Sequence, residues 1–142
     1  MLVRCLYASR ATTPLDEAAL DEILRQSRTN NALRGVTGLL CLANKIFVQA
    51  LEGGRSEISR LLASIIRDPR HSGVELLLFE EIAERQFGGW TMGRVKVADV
   101  NQALVLKYSE SPAFDPFACS GATTLKLLTE LSAEGAIVSR SR

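Results

Sequence analysis

The stretch "GVTGLLCLANKIFVQALEG", Gly35 to Gly53, decides the fold. It reads as two apolar strands joined at Asn44 and Lys45, a hairpin, because short runs of apolar residues flank two turn-forming ones. In the second half, "IFVQALEG", apolar side chains occupy both faces, as expected of a strand covered on each side. Gln49 interrupts that run. A carboxamide there costs roughly 1–3 kcal/mol unless both its carbonyl and its NH₂ find partners.

Outward from the hairpin, "LVRCLYAS", Leu2–Ser9, is a strand with Val3, Cys5, Tyr7 and Ser9 on one face. "TPLDEAALDEILRQSR" predicts a helix with Thr13 as N-cap, Pro14 at its first position and Asp16 closing a capping-box-like pair. Its apolar stripe is Leu20, Ile23 and Leu24, and it ends near Asn30 and Asn31, residues that favour helix exits. After the hairpin, Ser56 opens a second helix, with Ile58, Leu61, Leu62, Ile65 and Ile66 at i, i+3, i+4, i+7 and i+8, and Pro69 stops it. "EGGRSE" ahead of it reads as a turn plus cap. "VELLLFEEIAE" from Val74 is a fourth strand and "WTMGRVKV" from Trp90 a fifth, with "RQFGG" turning between them. The order βαββαββ is the split βαβ, ferredoxin-like pattern with one strand added: an α+β sandwich with a mixed five-stranded sheet and both helices on one face.

Beyond Val97 the character changes. "ADVNQALVLKY" forms a short helix, "SESPAFDPFACSG" a connector and "TTLKLLTELSAEG" a further helix with a Leu125, Leu128, Leu131 stripe. Residues 1–97 are therefore expected to form the ligand-binding domain, and 98–142 a helical extension that covers the other sheet face or meets a partner there. The tail "VSRSR" is expected to fray.

Composition limits the function. With 142 residues the chain is about one domain, and 17 Lys+Arg against 16 Asp+Glu leave a net charge of +1, no footprint for nucleic acid or an anionic membrane. Cys5, Cys41 and Cys119 are odd in number and widely spaced, which points away from disulfides and structural zinc and toward a reducing cytoplasm. No signal-like segment opens the chain, and its longest apolar tract is broken by Thr37, Asn44, Lys45 and Gln49. A cytoplasmic protein without a membrane span is expected.

In a split βαβ unit the first and third strands are neighbours at the sheet centre. Tyr7 and Gln49 then face the same layer, and Asn31 borders the space between the helices. A phenol and amides form a neutral set of donors and acceptors, suited to a flat heteroaromatic ligand with carbonyls and ring nitrogens rather than to a metal or phosphate.

"RCLYAS", "TNNALRGVTGLL", "FVQALEG", "RDPRHSGVE" and "FGGWTMG", in that order from about Leu2 to Val97, resemble the BLUF family of blue-light sensors that use FAD. The resemblance implies a ferredoxin-like fold holding the flavin ring noncovalently between the two helices, with FAD as cofactor and FMN as the alternative. It implies that Tyr7 is the electron and proton donor to the excited flavin and that Gln49 rearranges its hydrogen bonds after light absorption. Asn31 matches the asparagine that bonds the ring, Asn30 a second polar ring contact, and Trp90 and Met92 the strand positions that carry the signal outward. Arg67 and Asp68 are candidates for the ribityl or phosphate part of the cofactor, against a plain solvated helix end. Residues 98–142 are too few for a cyclase or phosphodiesterase domain, so no enzymatic output is expected. The expected output is a change in association with an unidentified downstream protein or with a second copy.

Without the family, Tyr7 is a core tyrosine with its hydroxyl bonded to backbone, and Asn30 and Asn31 are a helix exit. His71, the single histidine, reads as a loop residue. Two other functions compete: a ferredoxin-like regulatory module for a different small ligand, and an acylphosphatase-like hydrolase, for which only Arg10 follows the first strand where a phosphate-cradling arginine is needed.

Overall fold

The computed structural model describes residues 1–43, 45–95, 102–133 and 137–139. The turn residue Asn44, the end of the expected fifth strand with the boundary at Val97, and the final three residues lie outside them. In chain order the elements are β1 (Leu2–Ala11), α1 (Glu17–Arg34), β2 (Thr37–Ala43), β3 (Ile46–Gly54), α2 (Arg55–Arg67), β4 (His71–Ile82), β5 (Gly93–Val95), α3 (Gln102–Tyr108), a 3₁₀ turn (Pro116–Ala118), α4 (Gly121–Ala133) and β6 (Ile137–Ser139). The sheet order is β4-β1-β3-β2-β5-β6. Neighbours run antiparallel except β2 and β5, which are parallel, so the sheet is mixed and ferredoxin-like.

Alternation along the central strands builds two cores. Val3, Cys5, Tyr7, Phe47 and Leu51 point to one face, where they meet Leu20 and Leu24 of α1 and Ile58 of α2. Leu6, Ala8, Val48 and Ala50 point to the other, where they meet Leu104 and Val105 of α3 and Leu127, Leu128 and Leu131 of α4. Both main helices thus share one face, and the C-terminal helices cover the opposite one. A side chain at Gly121 would put its Cβ 2.2 Å from the Leu77 carbonyl oxygen, so glycine is what lets the start of α4 lie directly on β4.

Several boundaries differ from the sequence expectation. Asp16, not Thr13, caps α1: its carboxylate accepts the Ala19 N–H at 2.8 Å, and the helix begins at Glu17. Thr13 and Asp16 both have cap chemistry, and the later one wins. Asn30 and Asn31 do not end the helix, which runs on to Arg34 and stops at Gly35 in the left-handed conformation at φ 68°. Helix α2 starts at Arg55, with Gly54 at the cap position rather than a serine side chain. Strand β4 begins at His71, three residues before Val74, so His71 is a strand residue and not a loop one. Trp90 and Met92 precede the short β5 rather than forming part of it. The five expected strands are joined by a sixth, β6, which pairs with Arg94 and Val95 where the tail was expected to fray.

Candidate functional site

Strands β1 and β3 are in register with Tyr7 directly opposite Gln49. The Tyr7 hydroxyl donates to Gln49 Oε1 at 2.5 Å, and Gln49 Nε2 donates to the Met92 sulfur at 3.4 Å. Tyr7 is 1% and Gln49 6% exposed. Burial raises the Tyr7 pKa far above the usual phenol value, which keeps the hydroxyl a neutral donor. The buried amide is therefore bonded at both ends, but unequally: its oxygen has a strong phenolic donor, whereas its NH₂ rests on a weak thioether acceptor.

Tyr7 and Gln49 form part of the wall of a cavity of about 230 Å³ between α1 and α2. Ile23 of α1, Leu61 and Ile65 of α2, and Leu40 and Phe47 of the sheet supply apolar walls. Asn31 is 2% exposed, and its carboxamide finds no side-chain hydrogen-bond partner among the described residues although it borders the cavity. Such an amide costs roughly 1–3 kcal/mol unless something in the cavity bonds it. A slot with apolar walls and, among its many polar lining groups, two buried amides and a buried phenol fits a flat ring with carbonyls and ring nitrogens, the group expected from the sequence.

Charge is confined to the rim. Asp68 lines it, and its carboxylate is held by Arg70 through Nε at 3.0 Å and Nη2 at 2.6 Å, a pairing that lowers the Asp68 pKa. Asn30 is exposed at the same rim. Arg67 is exposed and outside the lining; Arg34 and Arg70 occupy the basic positions instead. The helical phase explains this: Leu61, Ser64 and Ile65 share the cavity face of α2 at i, i+3 and i+4, a face that Arg67 leaves, and Asp68 follows at the helix end.

Sequence reasoning missed His71 and Phe47 as lining residues. The His71 Nδ1 lies 2.7 Å from the Ser9 hydroxyl, and its ring lies 4.6 Å from Phe47 and edge-on to Tyr7 at 6.2 Å, centre to centre. Ser9 shares the Tyr7 face, and its buried hydroxyl called for a partner. Of the two matched relay residues, Met92 is buried on the cavity side against Gln49, whereas Trp90 packs on the opposite core, stacked with Phe87 at 6.3 Å. Arg10 lies over the Phe117 ring at 4.4 Å, so it forms no phosphate cradle for a hydrolase. Among the described residues no group of three or more His, Cys, Asp or Glu comes together to hold a metal, and no described helix is long and apolar enough to cross a membrane.

The chain resembles several known light sensors. It is 35% identical over 92 residues to the photoactivated adenylate cyclase subunit beta of Euglena gracilis, covering 64% of this chain and 11% of that one. The blue light- and temperature-regulated antirepressor BluF of Escherichia coli is 28% identical over 88 residues, covering 62% of this chain and 22% of BluF. The chain thus spans about a tenth of the length of the Euglena cyclase subunits it matches. Among solved structures, photo-activated BlsA superposes with a TM-score of 0.82 at 29% identity, covering 100% of this chain and 99% of BlsA. Dark-state BlrB gives 0.78 at 30% identity, covering 94% and 96%. Residues 2–93 match the family model described as BLUF, sensors of blue-light using FAD, and the chain belongs to that family.

Proposed function

We propose that this protein is a blue-light photoreceptor that binds flavin noncovalently between α1 and α2 and signals by rearranging the hydrogen bonds of Tyr7 and Gln49. The observation that carries the proposal is the bonded Tyr7–Gln49 pair on the wall of a cavity, backed by Met92, with the Asn31 amide on the same wall lacking a side-chain partner among the described residues. Bound flavin supplies blue-light absorption and a transient demand for an electron and a proton. Tyr7 is the group placed to meet that demand, since its neutral, buried hydroxyl is already a donor. Once its hydrogen bond to Oε1 is disturbed, the Gln49 amide has little to hold it, because the N–H···S contact at its other end is weak. An exchange of carbonyl and NH₂ then reverses donor and acceptor toward every neighbour, with no covalent change.

FAD is the proposed cofactor, with Arg34 and Arg70 at the rim available to its phosphates and FMN as the alternative; one structure of BlrP1 from Klebsiella pneumoniae contains FMN. Residues 1–97 are the proposed sensor and 98–142 the proposed cap and output segment. The output is a change in association with a partner protein or a second copy in the cytoplasm. BluF of Escherichia coli is named as an antirepressor, a role that works through another protein.

A visible absorption spectrum before and after blue illumination tests the proposal. Purified protein is expected to carry a flavin spectrum that shifts under blue light and returns in the dark. Protein that is colourless, and stays so after incubation with FAD or FMN, would favour a regulatory module for another ligand.

A further inference from the structure

Met92 is fastened twice. Its sulfur accepts Gln49 Nε2 at 3.4 Å, and its backbone carbonyl accepts Arg28 Nε at 3.1 Å. Arg28 lies on α1 one turn before Asn31, so a single stretch of helix carries both the amide that faces the cavity and the guanidinium that grips the segment entering β5. Arg94, two residues after Met92, is itself tied to Glu17 at the start of α1 by two bonds of 2.6 and 2.9 Å. Helix α1 therefore straps the start of β5 at both sides of Gly93, while the sheet holds this short strand through three parallel pairs with β2 and two antiparallel pairs with β6.

We propose that Arg28 is a positioning residue of the light switch: by holding the Met92 carbonyl, it keeps the sulfur against Gln49 and so sets how long the rearranged state lasts. This rests on the photoreceptor reading above. With NH₂ toward the sulfur the contact is attractive; with the amide oxygen there, two lone-pair-bearing atoms face each other. While Arg28 holds the backbone, Met92 cannot move away, and the unfavourable contact drives the amide back. Released from Arg28, the segment shifts, the contact relaxes and the rearranged state persists.

The chain contains only two methionines, Met1 and Met92, which makes the grip directly observable. Carbonyl-labelled [1-¹³C]methionine marks those two carbonyls, and the Met1 carbonyl accepts Arg55 N–H at the far end of the sheet. Light-minus-dark infrared difference spectra and dark-recovery rates are compared for the wild type, Arg28→Ala and Arg28→Lys. The wild type is expected to show a labelled methionine band in the difference spectrum. In Arg28→Ala that band moves to higher wavenumber and recovery slows roughly three- to tenfold, as the loss of part of a charge-assisted hydrogen bond allows. Arg28→Lys, which keeps a charged donor, recovers at an intermediate rate. Unchanged recovery in Arg28→Ala, or a wild-type difference spectrum without a labelled methionine band, overturns the proposal. A wild type with no visible spectral shift would instead overturn the photoreceptor reading itself.

Discussion

Replacing Tyr7 with phenylalanine removes one oxygen atom from a ring that is 1% exposed, so the packing around the ring is kept and the hydrogen bond to Gln49 is lost. The cost to stability comes from Gln49 Oε1, left without its phenolic donor in a residue 6% exposed. A buried acceptor stripped of its partner costs about 1–3 kcal/mol, and the lower half of that range applies here because the amide borders a cavity and can turn. For a chain of this size each kcal/mol moves the melting temperature by about 3–4 °C, so Tyr7→Phe is expected to melt about 3–8 °C lower. Its function should fail far more completely than its fold. Thermal melts followed by flavin absorption, paired with light-minus-dark spectra, separate the two effects. The expected variant is folded, pigmented and silent to blue light. A spectral shift of full wild-type amplitude would refute the assigned role of the Tyr7–Gln49 bond.

Asn31→Ala removes the orphaned amide from the cavity wall and is expected to weaken flavin binding roughly tenfold, the loss of about one hydrogen bond, as measured by fluorescence titration of the stripped protein. Glu52 is fully buried and accepts Phe87 N–H at 2.6 Å, Gln86 N–H at 3.1 Å and Arg4 Nε at 2.9 Å, so Glu52→Ala leaves two amides and much of a buried guanidinium unpaired. That loss, about 3–5 kcal/mol, predicts a fall of about 10–20 °C in melting temperature by calorimetry. Burial holds the His71 imidazole below its ordinary pKa of 6.5, with Asp68 opposing that shift and Arg70 adding to it. The native state thus prefers the neutral ring, the unfolded chain takes up the proton first on acidification, and stability present above 6.5 declines as the pH falls toward the folded value. Melting curves of His71→Gln between about pH 5 and 7 are expected to show a flatter dependence on pH than the wild type.

How much of this was visible in the sequence depended on how local the signal was. Period-two alternation placed Tyr7 and Gln49 on one face, and the split βαβ order made their strands neighbours, so their pairing was legible in the sequence. The place of Asn31 beside the space between the helices was legible, yet its setting was misread: the helix passes through it because Gly35 supplies a better exit four residues later. The rim was harder. Arg67 and Arg70 are equally basic and close in sequence, and only the phase of α2 and the turn after it decide which one borders the cavity. Trp90 and Met92 are two residues apart, so on a regular strand they would share a face; both precede β5, and the irregular backbone there turns Trp90 to the Phe87 side and Met92 to Gln49, which period-two reasoning does not foresee. Strand β6 was missed because three residues near a polar terminus carry little periodicity; it pairs with the edge that β5 presents.

The alternation that divides β1 and β3 between two cores has a consequence for how such a protein can diversify. Odd-numbered residues from Val3 to Tyr7 and from Phe47 to Leu51 face the side of the sheet that α1, α2 and the cavity occupy, and Leu6, Val48 and Ala50 between them face the C-terminal helices. Selection can hold one set fixed while it rewrites the other, codon by codon within the same strand. One light-sensing chamber can then be fitted to many different outputs without moving a chromophore-facing atom.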